Sequence, residues 1–217
     1  MSYRVYDCIQ YSPEWWQLRR GIPTASNFGR ILTPKTQKLS SQADDYICEL
    51  IADQVQLNPP FFTERNGHTA AMRNGINCEP EARRFYEMEV GLDVRQVGFV
   101  TTEDGRFGFS PDGLVGEEGG LELKCPEAKT QARYLIDATL PDEYRAQVHG
   151  PLALALIDPT MPFKWWDFMS YCPGLADLTI RVEPDDYTKK LAEALEVFYA
   201  RYQSLLERLR AEPAEAP

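Results

Sequence analysis

The sequence predicts a mixed α/β fold, a central mixed β-sheet flanked by helices, and three observations carry that expectation. Apolar residues recur at helical spacing near both ends, over residues 42–57 and 185–210. Strand-like runs parted by glycine-rich turns crowd the middle, between residues 93 and 125. Beyond them the pattern alternates: a helix, two strands, a helix. At 217 residues the chain can bury one substantial core, so residues 1–210 read as a single domain. The tail AEPAEAP, residues 211–217, reads as disordered.

The elements follow in order. Ser12-Pro13-Glu14-Trp15-Trp16 opens a first helix with a serine cap, a proline at the first helical position and an acid in the first turn; it ends near Gly21. Thr24-Ala25-Ser26-Asn27-Phe28 opens a second, short one. Over 42–57, Tyr46, Ile47, Leu50, Ile51 and Val55 share a face, and Asn58-Pro59-Pro60 stops the helix. Residues 69–90 read as a helix pair or a broken helix, with Gly75 as the weak point and Gly91 as the end. Strands are expected at 93–101, 108–115 and 120–125, the last two joined into a hairpin by the turn at 116–119. Residues 141–156 read as a helix that Gly150-Pro151 interrupts or kinks. Strands at 163–170 and 178–182 precede the longest helix, 185–210. There Tyr187, Leu191, Ala194, Leu195, Phe198, Tyr202, Leu205, Leu206 and Leu209 form one apolar stripe.

Composition narrows the chemistry. The five cysteines are scattered, with no CxxC pair, which fits reduced thiols and argues against a zinc site. Two histidines, His68 and His149, argue against a histidine-based metal centre or a catalytic triad. No run of about eighteen apolar residues exists, so no membrane span is expected. The N-terminus lacks the basic start and apolar block of a signal peptide, and the expectation is a cytoplasmic protein. The net charge of −10 argues against nucleic-acid binding only if charge is spread evenly. It is not: Glu183, Asp185, Asp186, Glu193, Glu196, Glu207, Glu212 and Glu215 lie toward the C-terminus, whereas Arg19, Arg20, Arg30, Lys35, Lys38, Arg65 and Arg73 lie in the first third. An acidic site that binds cations also lowers the net charge.

The stretch GFSPDGLVGEEGGLELKCP, residues 108–126, carries the chemistry. Alternation along a strand puts Glu122 and Lys124 on one face and Leu121, Leu123 and Cys125 on the other. The preceding strand delivers Asp112 across the hairpin. Two close carboxylates suit a hard divalent cation, which can polarise a phosphoryl oxygen and activate water, and the lysine can hold the water or steady the charge. An acid and a lysine two apart also fit a solvated strand face. The apolar neighbours favour a central strand, where a buried charge needs partners or a metal.

SPDGL…LELKCP resembles the PD-(D/E)xK nuclease motif, and closely its lambda-type exonuclease branch, the YqaJ-like viral recombinases. LRRGIPTAS after Trp15, NGINCEPEARRFYE at 74–87 and AQV at 146–148 resemble further blocks of that family in the same order. The resemblance implies a restriction-endonuclease-like core. It implies Asp112 and Glu122 as metal ligands with the Leu123 carbonyl, Lys124 as the catalytic lysine, Glu79 as the helix glutamate and Gln147 as the motif glutamine. It implies Arg19, with Ser26 and Ser110, as the grip on a 5′-phosphate, although Arg20 stands beside Arg19 and Ser26 also reads as a helix cap. Met72 falls where the family inserts an apolar side chain to part the strands, and it reads equally well as core. One further family acid finds no clear match near Thr102, Glu103 and Asp104. The polar, basic residues 34–41 read as a loop that contacts DNA.

The activity so implied is a Mg²⁺-dependent 5′→3′ exonuclease, with Mn²⁺ as a substitute. It digests one strand of double-stranded DNA from an end, leaves a 3′ overhang and acts processively as a homotrimeric ring. A phage single-strand annealing protein is the implied partner. A PD-(D/E)xK endonuclease, or a non-catalytic DNA-end binding module, is the alternative.

Overall fold

The computed structural model describes residues 2–55 and 70–211, with the backbone alone over 70–77. The expected helix stop at Asn58-Pro59-Pro60, the Met72 side chain and the tail beyond 211 lie outside the described residues. The elements are β1 (Arg4–Tyr6), α1 (Pro13–Arg19), a 3₁₀ helix (Ala25–Arg30), α2 (Ala43–Val55), α3 (Ala70–Val90), β2 (Val94–Arg95), β3 (Phe99–Thr101), β4 (Gly108–Phe109), β5 (Gly113–Val115), β6 (Gly119–Lys124), α4 (Ala128–Asp137), α5 (Asp142–Ile157), β7 (Trp165–Ser170), β8 (Leu178–Val182) and α6 (Asp186–Ala211).

The larger sheet runs β2-β5-β6-β7-β8. Its β6–β7 pair is parallel and the other pairs are antiparallel, so it is a mixed sheet flanked by helices. On one face Leu121 and Leu123 of β6 and Met169 of β7 pack beneath Ala82 and Tyr86 of α3. On the other face Trp166 and Phe168 join the core built from α5, α6 and the 3₁₀ helix. Asp167, 1% exposed, ties the α3 side together: the Tyr86 hydroxyl donates to it at 2.6 Å and Arg181 of β8 donates twice, at 2.9 and 2.8 Å. A smaller antiparallel sheet, β1-β3-β4, sits alongside.

Two expected strands are each divided. Residues 93–101 form β2 in the large sheet and β3 in the small one. The chain changes sheets at Gly98, where an added Cβ would stand 2.1 Å from the Cys8 carbonyl oxygen, so only glycine allows the approach. Residues 108–115 form β4 and β5, because Pro111 lacks the N–H that would continue the pairing. The expected hairpin is present as β5–β6.

Helix expectations need correction too. Residues 70–90 form one helix through Gly75 and Pro80, not a pair. A glycine costs only about 1 kcal/mol in a helix interior, less than packing on a sheet returns. α5 likewise continues through Gly150-Pro151. Gly150 packs against the 3₁₀ helix, where a Cβ would come within 2.7 Å of the Ala25 Cβ, and both residues are buried. Leu209, placed in the stripe of α6, is 49% exposed. Two elements escape the sequence reading. β1 is three residues long, and α4 buries Gln131 and Tyr134 rather than an apolar stripe. The Gln131 amide donates to the carbonyls of Ser170 and Ala176, so α4 is fixed by polar contacts that periodicity does not register. Among the described residues no helix is long and apolar enough to cross a membrane.

Gly120 pairs with Trp166 across β6 and β7, and a Cβ there would stand 2.2 Å from the buried indole. Gly120→Ala is expected to lower unfolding stability by about 1–3 kcal/mol, as overpacking does. Denaturant titration checks it, and an unchanged midpoint contradicts the tight β6–β7 packing.

Candidate active site

Pro111 ends the pairing of β5 one residue before Asp112. The Asp112 amide still donates to the Leu121 carbonyl at 3.1 Å. Its carboxylate then takes the next position and accepts the Leu123 N–H at 2.6 Å. Backbone groups of Leu121 and Leu123 point to the same side of β6, so the Leu123 carbonyl faces the space that β5 has left.

Glu122 and Lys124 share the opposite strand face from Leu121 and Leu123, as alternation requires. Glu122 is 4% exposed, and the Lys124 ammonium donates to its Oε1. Lys124 also stands 5.0 Å from the centroid of the Tyr144 ring on α5. Glu79 reaches the same space from α3 and Gln147 from α5. These side chains line a cleft of about 240 Å³, together with Arg19, Ser26, Ser110 and the Leu123 backbone.

The electrostatics are those of crowded acids with too little cation. Burial pushes Glu122 up to about 7; Lys124 opposes this, and Asp112 and Glu79 add to it. Burial also pushes Glu79 up to about 7, helped by Asp112 and opposed by Arg83 and Lys124. Asp112 is raised by burial, against the pull of Lys124 and the Leu123 amide. Burial pulls Lys124 down, but Glu122 and Asp112 outweigh it and hold the ammonium above its usual range. Two carboxylates and a backbone carbonyl are the oxygen donors a hard divalent cation takes, with waters completing the shell. Among the described residues no three acidic, imidazole or thiol groups converge to hold a cation without such help.

In the same cleft Arg19 is held by neutral groups. It donates to Ser110 Oγ at 2.9 Å, Thr24 Oγ1 at 3.1 Å and Ser26 Oγ at 3.4 Å, and lies 4.2 Å over the Trp15 ring. Burial lowers its pKa to about 10, so it remains charged at neutral pH. The choice between the paired arginines is resolved by geometry: Arg20 turns away and donates to the Asp53 carbonyl. Ser26 lies inside the 3₁₀ helix rather than capping it. Met72 belongs to α3, and its side chain is outside the described residues. Asp104 is engaged by Thr102 and Arg106 and does not line the cleft. Within 34–41, Lys38 folds back onto Thr33 through its amide and carbonyl.

Four lining or supporting residues went unforeseen: Tyr11, Trp15, Thr24 and Tyr144. Two had a signal in the sequence. Trp15 is four residues before Arg19, and Tyr144 three before Gln147, so each pair shares a helix face.

A sequence model of the YqaJ-like viral recombinase domain matches residues 14–157. No curated protein matches the sequence. Among solved structures, the chain is similar to an alkaline exonuclease from Laribacter hongkongensis, with 29% identity, a TM-score of 0.74 and coverage of 92% of this chain and 96% of that one. The same exonuclease in complex with dAMP gives a TM-score of 0.73 at the same identity and coverage. A phage-related exonuclease from Haemophilus somnus, at 13% identity and TM-score 0.52 over 85% of this chain and 96% of that one, shares the fold.

The raised pKa of Glu122 makes a stability prediction. The folded protein holds that proton up to about 7, against an ordinary 4.5, so the stabilisation is full below that ordinary value and is lost as pH rises through 7. In EDTA, the stability of the wild type relative to Glu122→Gln is expected to fall by about 2 kcal/mol between pH 5 and pH 8. Parallel pH profiles in denaturant titrations would show that this carboxylate is not strained.

Proposed function

The chain belongs to the YqaJ-like viral recombinase family, and on that premise we propose that it is a Mg²⁺-dependent 5′→3′ exonuclease acting on the ends of double-stranded DNA. One observation carries the reading. A single cleft holds an acid–acid–lysine cluster and, among the described residues, a guanidinium held by hydroxyls and by the Trp15 and Phe99 rings. The first suits phosphodiester hydrolysis, and the second suits a terminal phosphate.

Asp112, Glu122 and the Leu123 carbonyl would hold the cation. When bound, it polarises a phosphoryl oxygen, makes water a stronger nucleophile and offsets charge on the leaving oxygen. Arg19 binds the 5′-phosphate of the terminal nucleotide, with Ser26 and Ser110 completing the cradle. That sets the first phosphodiester at the carboxylates. A water oxygen bonds to phosphorus and releases a proton to solvent, the bond from phosphorus to the 3′-oxygen breaks, and that oxygen leaves as a hydroxyl after taking a proton from solvent. Lys124 enters as an ammonium, so it donates hydrogen bonds to the developing negative charge rather than abstracting a proton. Glu79 and Gln147 orient the water and the phosphate. The released nucleotide keeps its 5′-phosphate, and the new end carries one too, ready for Arg19. The product is a 3′ single-stranded overhang.

The family reading extends further. It proposes a homotrimeric ring that encircles DNA and makes digestion processive, and Met72 as the side chain that parts the strands. It also proposes a phage-type single-strand annealing protein as partner and the bacterial cytoplasm as the setting. A ring would let an acidic chain present its basic residues inward.

The test is digestion of a linear duplex phosphorylated at one 5′ end, each strand labelled differently. Mononucleotides are expected from the phosphorylated strand only, with Mg²⁺ and not with EDTA. Lys124→Ala is expected to lower the rate by a factor on the order of 10²–10³, and Arg19→Gln to erase most of the preference for the phosphorylated end. Internal fragments, or equal cutting of circular DNA, would replace the reading with an endonuclease. End binding without release would replace it with a non-catalytic module.

A further inference from the structure

A second cavity, of about 410 Å³, lies against the cleft and shares Gln10, Tyr11, Glu79, Pro111 and Asp112 with it. Its volume falls within the range of small-ligand sites. Arg19 lines the first cavity and not the second; Arg83 of α3 lines the second and not the first. Glu79 and Asp112, which wall both, therefore stand between two guanidiniums.

Arg83 resembles Arg19 in how it is held. Its Nε donates to the Asp112 carbonyl at 3.2 Å, and with the Gln96 amide turned to present its oxygen, that oxygen accepts from both terminal nitrogens at 3.0 and 2.5 Å. Those hydrogen-bond partners are neutral oxygens, and the Glu79 and Asp112 carboxylates act on Arg83 through space. A guanidinium has five N–H donors, so donors remain for an anion. Gln10, donating to the Pro111 carbonyl at 2.8 Å, fastens the 7–11 segment beside it. Tyr11 follows in a left-handed conformation, φ 65°, and its ring, 42% exposed, stands at the shared rim where a base can stack.

A strand whose 5′-phosphate is on Arg19 and whose first phosphodiester is at Asp112 and Glu122 continues, away from Arg19, past Asp112 into this second cavity. We propose that the cavity is a nucleotide subsite in which Arg83 binds the phosphodiester that follows the scissile one on its 3′ side. The proposal rests on the exonuclease reading and adds a third phosphate contact to it. The three contacts would measure the strand from its end and favour substrates longer than a dinucleotide.

The test is single-turnover release of the first nucleotide from a 5′-phosphorylated duplex. The linkage between the second and third nucleotides is either native or a neutral methylphosphonate. The wild type is expected to slow about tenfold or more with the methylphosphonate, as the loss of a charge-assisted contact implies. Arg83→Gln is expected to be slow on the native duplex and insensitive to the replacement, and Arg83→Lys to recover part of the sensitivity. A wild type indifferent to the methylphosphonate overturns the subsite. So does an Arg83→Gln enzyme that slows equally on both duplexes and keeps the wild-type sensitivity, since Arg83 would then only brace Asp112. No release from either duplex by the wild type overturns the exonuclease reading itself, and the subsite with it.

Discussion

Asp112 accepts the Leu123 amide at 2.6 Å, where the carbonyl of an unbroken strand would otherwise stand. The arrangement follows from Pro111, which cannot donate to a ladder and so releases the chain from β6 one residue early. The consequences reach across the molecule. β4 joins the small sheet while β5 stays in the large one, so the break also divides the sheets. The Leu123 carbonyl is uncovered. Asp112 is anchored by backbone on both sides, through its own N–H to Leu121 and its carbonyl to Arg83. A strand continued through position 111 would have paired its backbone and left no cleft.

Around that break the charges are arranged by sign. Three carboxylates, Glu79, Asp112 and Glu122, face Lys124, and Arg83 acts on the first two, yet burial keeps Glu79 and Glu122 near a pKa of 7. The guanidiniums stand off on either side, on neutral partners. A buried cluster of three acids is unfavourable for folding alone; a divalent cation would offset it, and a phosphate strand would meet the two guanidiniums. An acidic chain can thus bind a polyanion, because the excess acid lies elsewhere, for example along exposed parts of α6, and only local charge meets the ligand.

Much of this is legible in the sequence, for reasons that can be named. Alternation alone places Glu122 and Lys124 together, since a two-residue period admits no other arrangement. The turn at 116–119 pairs the strands and brings in Asp112. Arg19 and Arg20 cannot be told apart by type; the helix ends between them, and the extended conformation of Arg20 sends it to Asp53. The division of two expected strands was hidden because sheet exchange at Gly98 depends on Cys8, ninety residues away along the chain. α4 was hidden because its buried face is polar. The second cavity has no motif: it is assembled from the 7–11 segment, α3, residues 96–97 and the Pro111 break, and proximity of that kind exists only in three dimensions.

The most direct measurement is a crystal structure of the protein with Ca²⁺ and a 5′-phosphorylated duplex, since Ca²⁺ fills oxygen sites with looser geometry than Mg²⁺ demands. The account predicts a cation bound by Asp112, Glu122 and the Leu123 carbonyl, with the 5′-phosphate on Arg19. A cation and a DNA end bound elsewhere on the surface, with this cleft empty, would contradict it.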